Sequence, residues 1–239
     1  MTSASTIKIF VGLAIRDAVE EGKIKYSKQI KEDLDLTLRN SDNEATNRLI
    51  ELLGFDKINQ TILKYISSSN TKLNRLMLGK GDENITNSRD LTEGLIEIFK
   101  SKDEISKDMV TSIANSSSKR VKLLKDIDKS FYSLNKTWEL KNIENDLALV
   151  DTGEFIIIIS LLTEDVEGLG RDKQLGIINK LGKDIADVFV KYNKIKDKNT
   201  THKSLIHLED FDNENLPENI MNIRRKLLMN FKSQYRQTF

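Results

Sequence analysis

Apolar residues in the first half of the chain recur every three or four positions, which is typical of helices that bury one face. The predicted helices cover residues 5–21, 44–53, 55–65, 88–99 and 105–114. Gly22 and Gly54 follow the first two of these helices, as glycine often does where a helix ends. Ser88 or Asp90 is the predicted cap of the fourth, and residues 80–84 predict a polar loop.

The pattern changes after a polar break at residues 115–118. Three segments rich in β-branched and aromatic residues predict strands, at 131–138, 146–151 and 155–162. Residues 156–159 are all isoleucine, so the third strand is expected to be buried on both faces. Thr152-Gly153 predicts the tight turn before it. Residues 173–192 then predict an amphipathic helix that covers the sheet.

A helical block followed by a strand meander and a covering helix predicts an α/β protein of the α+β type. We expect an all-α lobe over residues 1–114 and an α/β lobe over residues 115–193, with an antiparallel sheet covered by helices. Residues 194–239 form a C-terminal extension that begins with a charged linker. Within it, residues 204–211 could form a strand, and Pro217 introduces a helix that reaches about residue 235.

Composition excludes several classes of function. The chain has 239 residues, with 38% hydrophobic and 31% charged residues and a net charge of +1, so no basic field is available for nucleic acid. There is no cysteine, and the two histidines, His202 and His207, lie in a polar tail. We therefore expect no metal site and no cofactor. No apolar segment is long enough to span a membrane.

Ser5 and Lys8 are the first candidate catalytic residues, a possible nucleophile and its base. If a helix begins at Ser5, residues three apart share a face, so the Lys8 amine should lie beside the Ser5 hydroxyl. The unpaired amides at a helix N-terminus would also stabilise an alkoxide or an oxyanion. A serine cap followed by a solvated lysine explains the same residues without any function.

Two further motifs follow in order, Ser41-Asp42-Asn43 and Lys136-Thr137, the second on a predicted strand. Together with Ser5-Thr6-Ile7-Lys8 they resemble the signature of the class A β-lactamases and the penicillin-binding serine acyltransferases. The resemblance covers residues 3–193 and implies a β-lactamase/transpeptidase-like fold with the site between two lobes. Each motif also has a simpler explanation: Ser41 and Glu44 fit a capping box, and Lys136 could be a charge at a sheet edge.

The resemblance implies a role for each motif residue. Ser5 would attack the carbonyl of a β-lactam or of a D-alanyl peptide, Lys8 would take its proton, and Ser41 would pass a proton to the leaving nitrogen. The substrate would be held by Asn43 at its amide and by Lys136 and Thr137 at its carboxylate. The backbone amides of Ser5 and Glu139 would form the oxyanion hole. Because Lys8 shares this site with Lys136, we expect a lowered pKa for Lys8.

The chain departs from the family pattern where the family carries the glutamate that activates water for deacylation. Aligning residues 72–76 with the run before that glutamate puts Met77 at its position. Losing a general base typically costs about 10²- to 10⁴-fold in rate, so we expect a long-lived acyl-enzyme. Asp82 or Glu83 could substitute for the missing base.

Two other departures concern the sheet. Trp138 stands where the family has glycine, so either the strand is displaced or the indole fills a gap. The family also has a helix and two strands before the nucleophile helix, where this chain has four residues. We expect the C-terminal extension to substitute, with 204–211 adding a strand and 217–235 adding a helix to the α/β lobe.

These observations predict a β-lactamase-like serine hydrolase that β-lactams or peptidoglycan peptides acylate at Ser5 and that deacylates slowly. The alternative is a catalytically silent relative that serves as a binding or scaffold protein. The family implies a location outside the cytoplasm, although this chain has no recognisable signal peptide. The sequence gives no prediction of oligomeric state.

Overall fold

The computed structural model describes residues 1–116, 120–140, 142–151, 156–164 and 168–199. A short 3₁₀ helix, Ala4–Ile7, leads directly into α1. The first 116 residues form six α-helices, and the other five pack around α1. Their bounds are α1 Lys8–Glu20, α2 Lys28–Asp35, α3 Asn43–Leu53, α4 Phe55–Tyr65, α5 Ser88–Lys100 and α6 Glu104–Ala114. After them come β1 Tyr132–Leu140, β2 Ile143–Asp151, β3 Ile156–Leu161 and α7 Arg171–Asn199.

The helix predictions are confirmed to within a few residues, with two differences. α2 was not predicted, because Ile30 and Leu34 are the only buried apolar residues in an otherwise charged segment. It continues into a π-helical turn, Leu36–Asn40. The first helix was predicted to start at Ser5, but that residue lies in the 3₁₀ helix.

α1 is the centre of the fold. The sequence predicted one apolar stripe, whereas every residue from Lys8 to Ala18 is buried. α3, α4, α5 and α6 all contact it, so no side of the helix is left to solvent. The charged residues on it must therefore find partners inside the protein. Arg16 does so by pairing with Glu97 at 3.1 Å.

The three strands form one antiparallel sheet in the order β1-β2-β3. Its inner face packs on the helices through residues such as Leu134, Leu147 and Leu149. The prediction that β3 is buried on both faces is wrong, because Ile157 and Ile159 are buried whereas the alternate isoleucines are only half-buried. The predicted Thr152-Gly153 turn and the predicted elements at 204–211 and 217–235 lie outside the described residues.

The outer face of the sheet is covered by α7 and by the segment 120–128. Leu123, Leu124 and Ile127 of this segment form a second apolar cluster with β2, β3 and α7. The prediction that a helix covers the sheet is thus confirmed, although the helix starts at Arg171 rather than at residue 173. Among the described residues, no helix combines the length and the apolar character needed to cross a membrane.

Gly182 marks the closest approach between α7 and the segment beneath it. A Cβ at this position would lie 1.9 Å from the carbonyl oxygen of Leu123, which is backbone and cannot swing aside. We expect Gly182→Ala to destabilise the protein by about 1–3 kcal/mol, because α7 must lift off the sheet. Urea unfolding of the variant and of the wild type measures the difference.

Gly176 provides the matched control, since it lies in the same helix and a Cβ there meets no atom within 4 Å. Gly176→Ala should stabilise the protein by about 0.5–1 kcal/mol through helix propensity alone. Equal effects of the two substitutions would contradict close packing of α7 on Leu123.

Candidate active site

Ser5 is held at the start of the helical lobe by a strained turn. Ala4, the residue before it, has φ 48°, a conformation that residues with a side chain rarely adopt and that is common at functional sites. The turn is fixed from both sides, because the Ser3 amide donates to the Asn84 carbonyl at 2.7 Å and the Thr6 hydroxyl donates to the Ser3 carbonyl at 2.6 Å. Ser5 is half-buried and lines a pocket of about 130 Å³.

The amine of Lys8 lies at the junction of the first two motifs. Its shortest hydrogen bonds go to the Ser41 carbonyl at 2.6 Å and to Asn43 Oδ1 at 2.8 Å. The Ser41 hydroxyl is 3.3 Å away and the Asp42 carbonyl 3.5 Å. The sequence placed this amine beside Ser5, but none of its hydrogen bonds to described residues goes to the Ser5 hydroxyl. The structure therefore brings Lys8 together with Ser41 and Asn43.

The second motif lies on the link between the π-helical turn and α3. Ser41 is in the left-handed conformation with φ 58°, and its carbonyl accepts from the Lys8 amine. The alternative explanation of Ser41 and Glu44 as a capping box does not hold, since Asp42 caps α3 and its Oδ1 accepts from the Ala45 amide at 2.7 Å. Because Asp42 satisfies the helix end, the Ser41 hydroxyl remains available to the site.

Lys136 lies on the inner face of β1 and is 2% exposed. Burial lowers the pKa of Lys136 to about 8. The pKa of Lys8 is lowered from 10.5 to about 7, first by burial and then by the positive charge of Lys136, while the Asp42 charge acts in the opposite direction. The predicted direction for Lys8 is confirmed. Burial, however, is a larger cause than the neighbouring lysine.

Trp138 is next to Lys136 on the same face of β1, because side chains alternate along a strand. It is 2% exposed and belongs to the core between sheet and helices, so it fills space at this point of the fold. The Lys136 amine lies 5.8 Å from the centre of the indole ring. This cation–π contact favours the charged form of Lys136.

Thr137 and Glu139 lie on the opposite face of β1 from Lys136. Thr137 is buried, whereas the Glu139 side chain is 47% exposed and pairs with Arg171 at 3.1 Å. Glu139 nevertheless lines the same pocket as Ser5 and Asn43. Three of the predicted site residues thus share one pocket.

The remaining wall of the pocket comes from the loop between α4 and α5. Met77 lies in this wall and is held by Asn47, whose side chain bonds both its amide at 2.7 Å and its carbonyl at 3.2 Å. Glu83 also lines the pocket, and its carboxylate accepts from Arg75 at 2.5 Å. Asp82 is not among the lining residues.

Sequence reasoning missed the residues that shape this loop. Asn84 is buried, and its Oδ1 accepts from the amides of Asn74 and Arg75 at 2.7 and 3.0 Å. Its own carbonyl receives the Ser3 amide, so it connects the loop to the strained turn. The only signal for it was a short polar residue within a loop. Among the described residues, no cluster of three or more histidine or carboxylate side chains converges to hold a metal.

The sequence model of the "Beta-lactamase enzyme family" matches residues 29–189, which is more than half of the chain. The chain belongs to this β-lactamase family. The matched range includes the Ser41-Asp42-Asn43 and Lys136-Thr137 motifs and begins after Ser5. A search of curated proteins found no significant match.

Solved structures of class A β-lactamases share the fold. A β-lactamase from Sphaerobacter thermophilus is similar with a TM-score of 0.66 at 20% identity, over 79% of this chain and 84% of the other. The class A enzyme from Mycobacterium abscessus gives 0.66 at 20% identity, over 79% and 85%. An ancestral class A enzyme, reconstructed for the last common ancestor of Gram-negative bacteria, gives 0.67 at 18%, again over 79% and 85%. At this identity the likeness establishes the fold, a helical part with an antiparallel sheet, as the sequence predicted.

Proposed function

We propose that this member of the β-lactamase family is a serine hydrolase that β-lactams or D-alanyl peptides acylate at Ser5, and that it deacylates slowly. The observation that carries the proposal is the buried amine of Lys8, which has a pKa of about 7 and bonds to Ser41 and Asn43. Asn43 and Ser5 line one pocket, so the Lys8 amine lies directly behind one of its lining residues.

Lys8 is suited to be a neutral base. In a neutral amine, two N–H groups satisfy the short bonds to the Ser41 carbonyl and to Asn43 Oδ1, and the lone pair is left for a proton. The proton comes from the Ser5 hydroxyl, three residues earlier, as its oxygen bonds to the substrate carbonyl carbon. The Ser41 hydroxyl, 3.3 Å from the amine, can return a proton to the leaving nitrogen.

Lys136 is suited to attract the carboxylate of the substrate. Its amine has no hydrogen bond to the described residues, and the group that favours its positive charge is the indole ring of Trp138. A buried cation without a counter-ion favours an incoming anion. Thr137 is proposed as a second contact to this carboxylate, and the amides of Ser5 and Glu139 as the oxyanion hole.

Slow deacylation is expected because Met77 lies in the pocket wall where the family carries its general base. A thioether cannot take a proton from water, and the Glu83 carboxylate is engaged by the guanidinium of Arg75. Hydrolysis of the acyl-enzyme therefore lacks an available general base at the aligned position. Losing such a base costs about 10²- to 10⁴-fold in rate.

Incubation with a penicillin should give one covalent adduct, seen by intact-mass spectrometry as a gain equal to the whole penicillin, because ring opening releases no atoms. The adduct should be absent in Ser5→Ala and retained in Ser3→Ala, the matched control two residues away. An unchanged mass for the wild-type protein would contradict acylation and favour the binding or scaffold role.

Met77→Glu should speed the decay of that adduct by up to about 10²-fold, because it restores a carboxylate in the pocket wall. Met77→Gln has the same size without a base and should decay as slowly as the wild type. Equal decay of the two variants would contradict the missing-base explanation. Fast turnover by the wild type that is lost in Glu83→Gln would instead identify Glu83 as the base.

A further inference from the structure

Lys122 is a completely buried lysine on the outer face of the sheet, beneath α7, and none of the proposed catalytic steps uses it. Its amine donates to two backbone carbonyls, those of Trp138 and Asn145, each at 3.1 Å. It also forms ion pairs with the carboxylates of Glu144 at 2.8 Å and of Glu139 at 3.6 Å. A buried ammonium that bonds backbone carbonyls of a strand in the site needs a physical explanation.

The two carbonyls identify where the amine lies. Trp138 and Asn145 are directly opposite each other in the β1–β2 ladder. One amine can reach both oxygens because the carbonyls of such a pair can both point into the space between the strands. The Trp138 carbonyl therefore points toward β2.

The same peptide unit carries the amide of Glu139. In a planar trans peptide the C=O and the N–H point in opposite directions, so the Glu139 N–H points toward the edge of β1 that β2 does not cover. The 3₁₀ helix that carries Ser5 contacts β1, and Glu139 and Ser5 line one pocket. This N–H is the one proposed above as an oxyanion-hole donor.

We propose that Lys122 is a positioning residue that fixes and polarises the Trp138–Glu139 peptide, so that the Glu139 N–H becomes a stronger donor to the oxyanion. A cation on the carbonyl withdraws electron density from the peptide, and hydrogen bonds in series strengthen each other in a low-dielectric interior. The positive charge also stabilises, through space, the negative charge that develops in the pocket. This inference rests on the proposed function, because it concerns the acylation step.

The charges around Lys122 allow its removal. Glu144 is buried, but it also pairs with Arg171 at 2.5 Å, and Arg171 pairs with Glu139 at 3.1 Å. Lys122→Met keeps an unbranched side chain that is one atom shorter than lysine, and it leaves both Glu144 and Glu139 paired with Arg171, so the variant is expected to fold. If native near-UV circular dichroism is lost, Lys122→Met combined with Glu144→Gln removes both charges of the pair.

The first measurement uses the free protein and requires no acylation. In ¹H–¹⁵N spectra, the Glu139 amide proton should move upfield in Lys122→Met, because the peptide loses its polarising cation. Lys122→Arg, which retains a cation, should restore much of the shift. Glu144→Gln is one matched control: it removes the 2.8 Å ion pair but retains the lysine, and the Glu139 resonance should stay close to its wild-type position. Because Lys122 also pairs with the Glu139 carboxylate, the Lys122→Met comparison is repeated with Glu139→Gln present in both proteins, and the backbone N–H at position 139 should still move upfield.

The second measurement is the acylation rate constant with a chromogenic cephalosporin under single-turnover conditions. Lys122→Met should acylate about tenfold more slowly, which is part of the roughly 10²- to 10³-fold lost when an oxyanion donor is removed. Lys122→Arg should recover most of the rate. The ester carbonyl of the acyl-enzyme should also shift to higher infrared frequency in Lys122→Met, since its hydrogen bond is weaker.

A folded Lys122→Met variant with an unmoved Glu139 resonance would overturn the proposal, as would acylation at the wild-type rate. If the wild-type protein is not acylated at all, the proposed function fails, and the Glu139 resonance alone then decides whether Lys122 polarises the peptide.

Discussion

The site depends on the cost of burying the amine of Lys8. This amine lies in the central helix, which is surrounded by other helices, and its hydrogen-bond partners are uncharged oxygens of the second motif. Carbonyl and amide oxygens satisfy its N–H groups without a counter-ion, so burial disfavours the charged form. Burial thereby lowers the pKa of this amine to about 7, and the strained turn at Ala4 places Ser5 in the pocket that Asn43, a partner of the amine, also lines.

Lys8 and Lys136, the two buried lysines near the pocket, differ in the groups that surround their amines. Lys8 is held by three backbone or side-chain oxygens within 3.3 Å, whereas Lys136 contacts the face of Trp138. An indole favours a cation without neutralising it, which suits the role proposed for Lys136, the attraction of a substrate carboxylate. The tryptophan that interrupts the family pattern thus occupies core space and still contributes to the electrostatics of the site.

The sequence predicted the fold class, because helical periodicity and the strand meander are local signals and the motifs resemble those of a known family. It predicted less well where the outcome depended on three-dimensional contacts. Ser41 and Asp42 are both good caps, and only the left-handed conformation of Ser41 shows which one caps α3. The Lys8 amine was expected beside Ser5, but burial against the second motif decides its bonds.

The sequence carries little signal for the residues whose side chains bond backbone groups near the pocket. Asn84 joins the pocket loop to the turn before Ser5, and Lys122 bonds a carbonyl of β1 from the opposite side of the sheet. Asn84 lies in a polar loop and Lys122 lies between Val121 and Leu123, and a solvated side chain is the ordinary expectation for both residue types. The backbone groups that Asn84 and Lys122 reach depend on how segments far apart in the chain pack together. Local sequence patterns do not carry this information.

The most direct test of this account is the titration of the Lys8 side chain, followed by the ¹³Cε resonance of labelled lysine and assigned with Lys8→Met. We expect a midpoint near pH 7, with the amine charged below it and neutral above it. In Lys136→Met the midpoint should rise only modestly, because burial is the larger cause of the shift. A midpoint near the ordinary value of 10.5 would show that Lys8 stays charged at neutral pH and would contradict its role as the base.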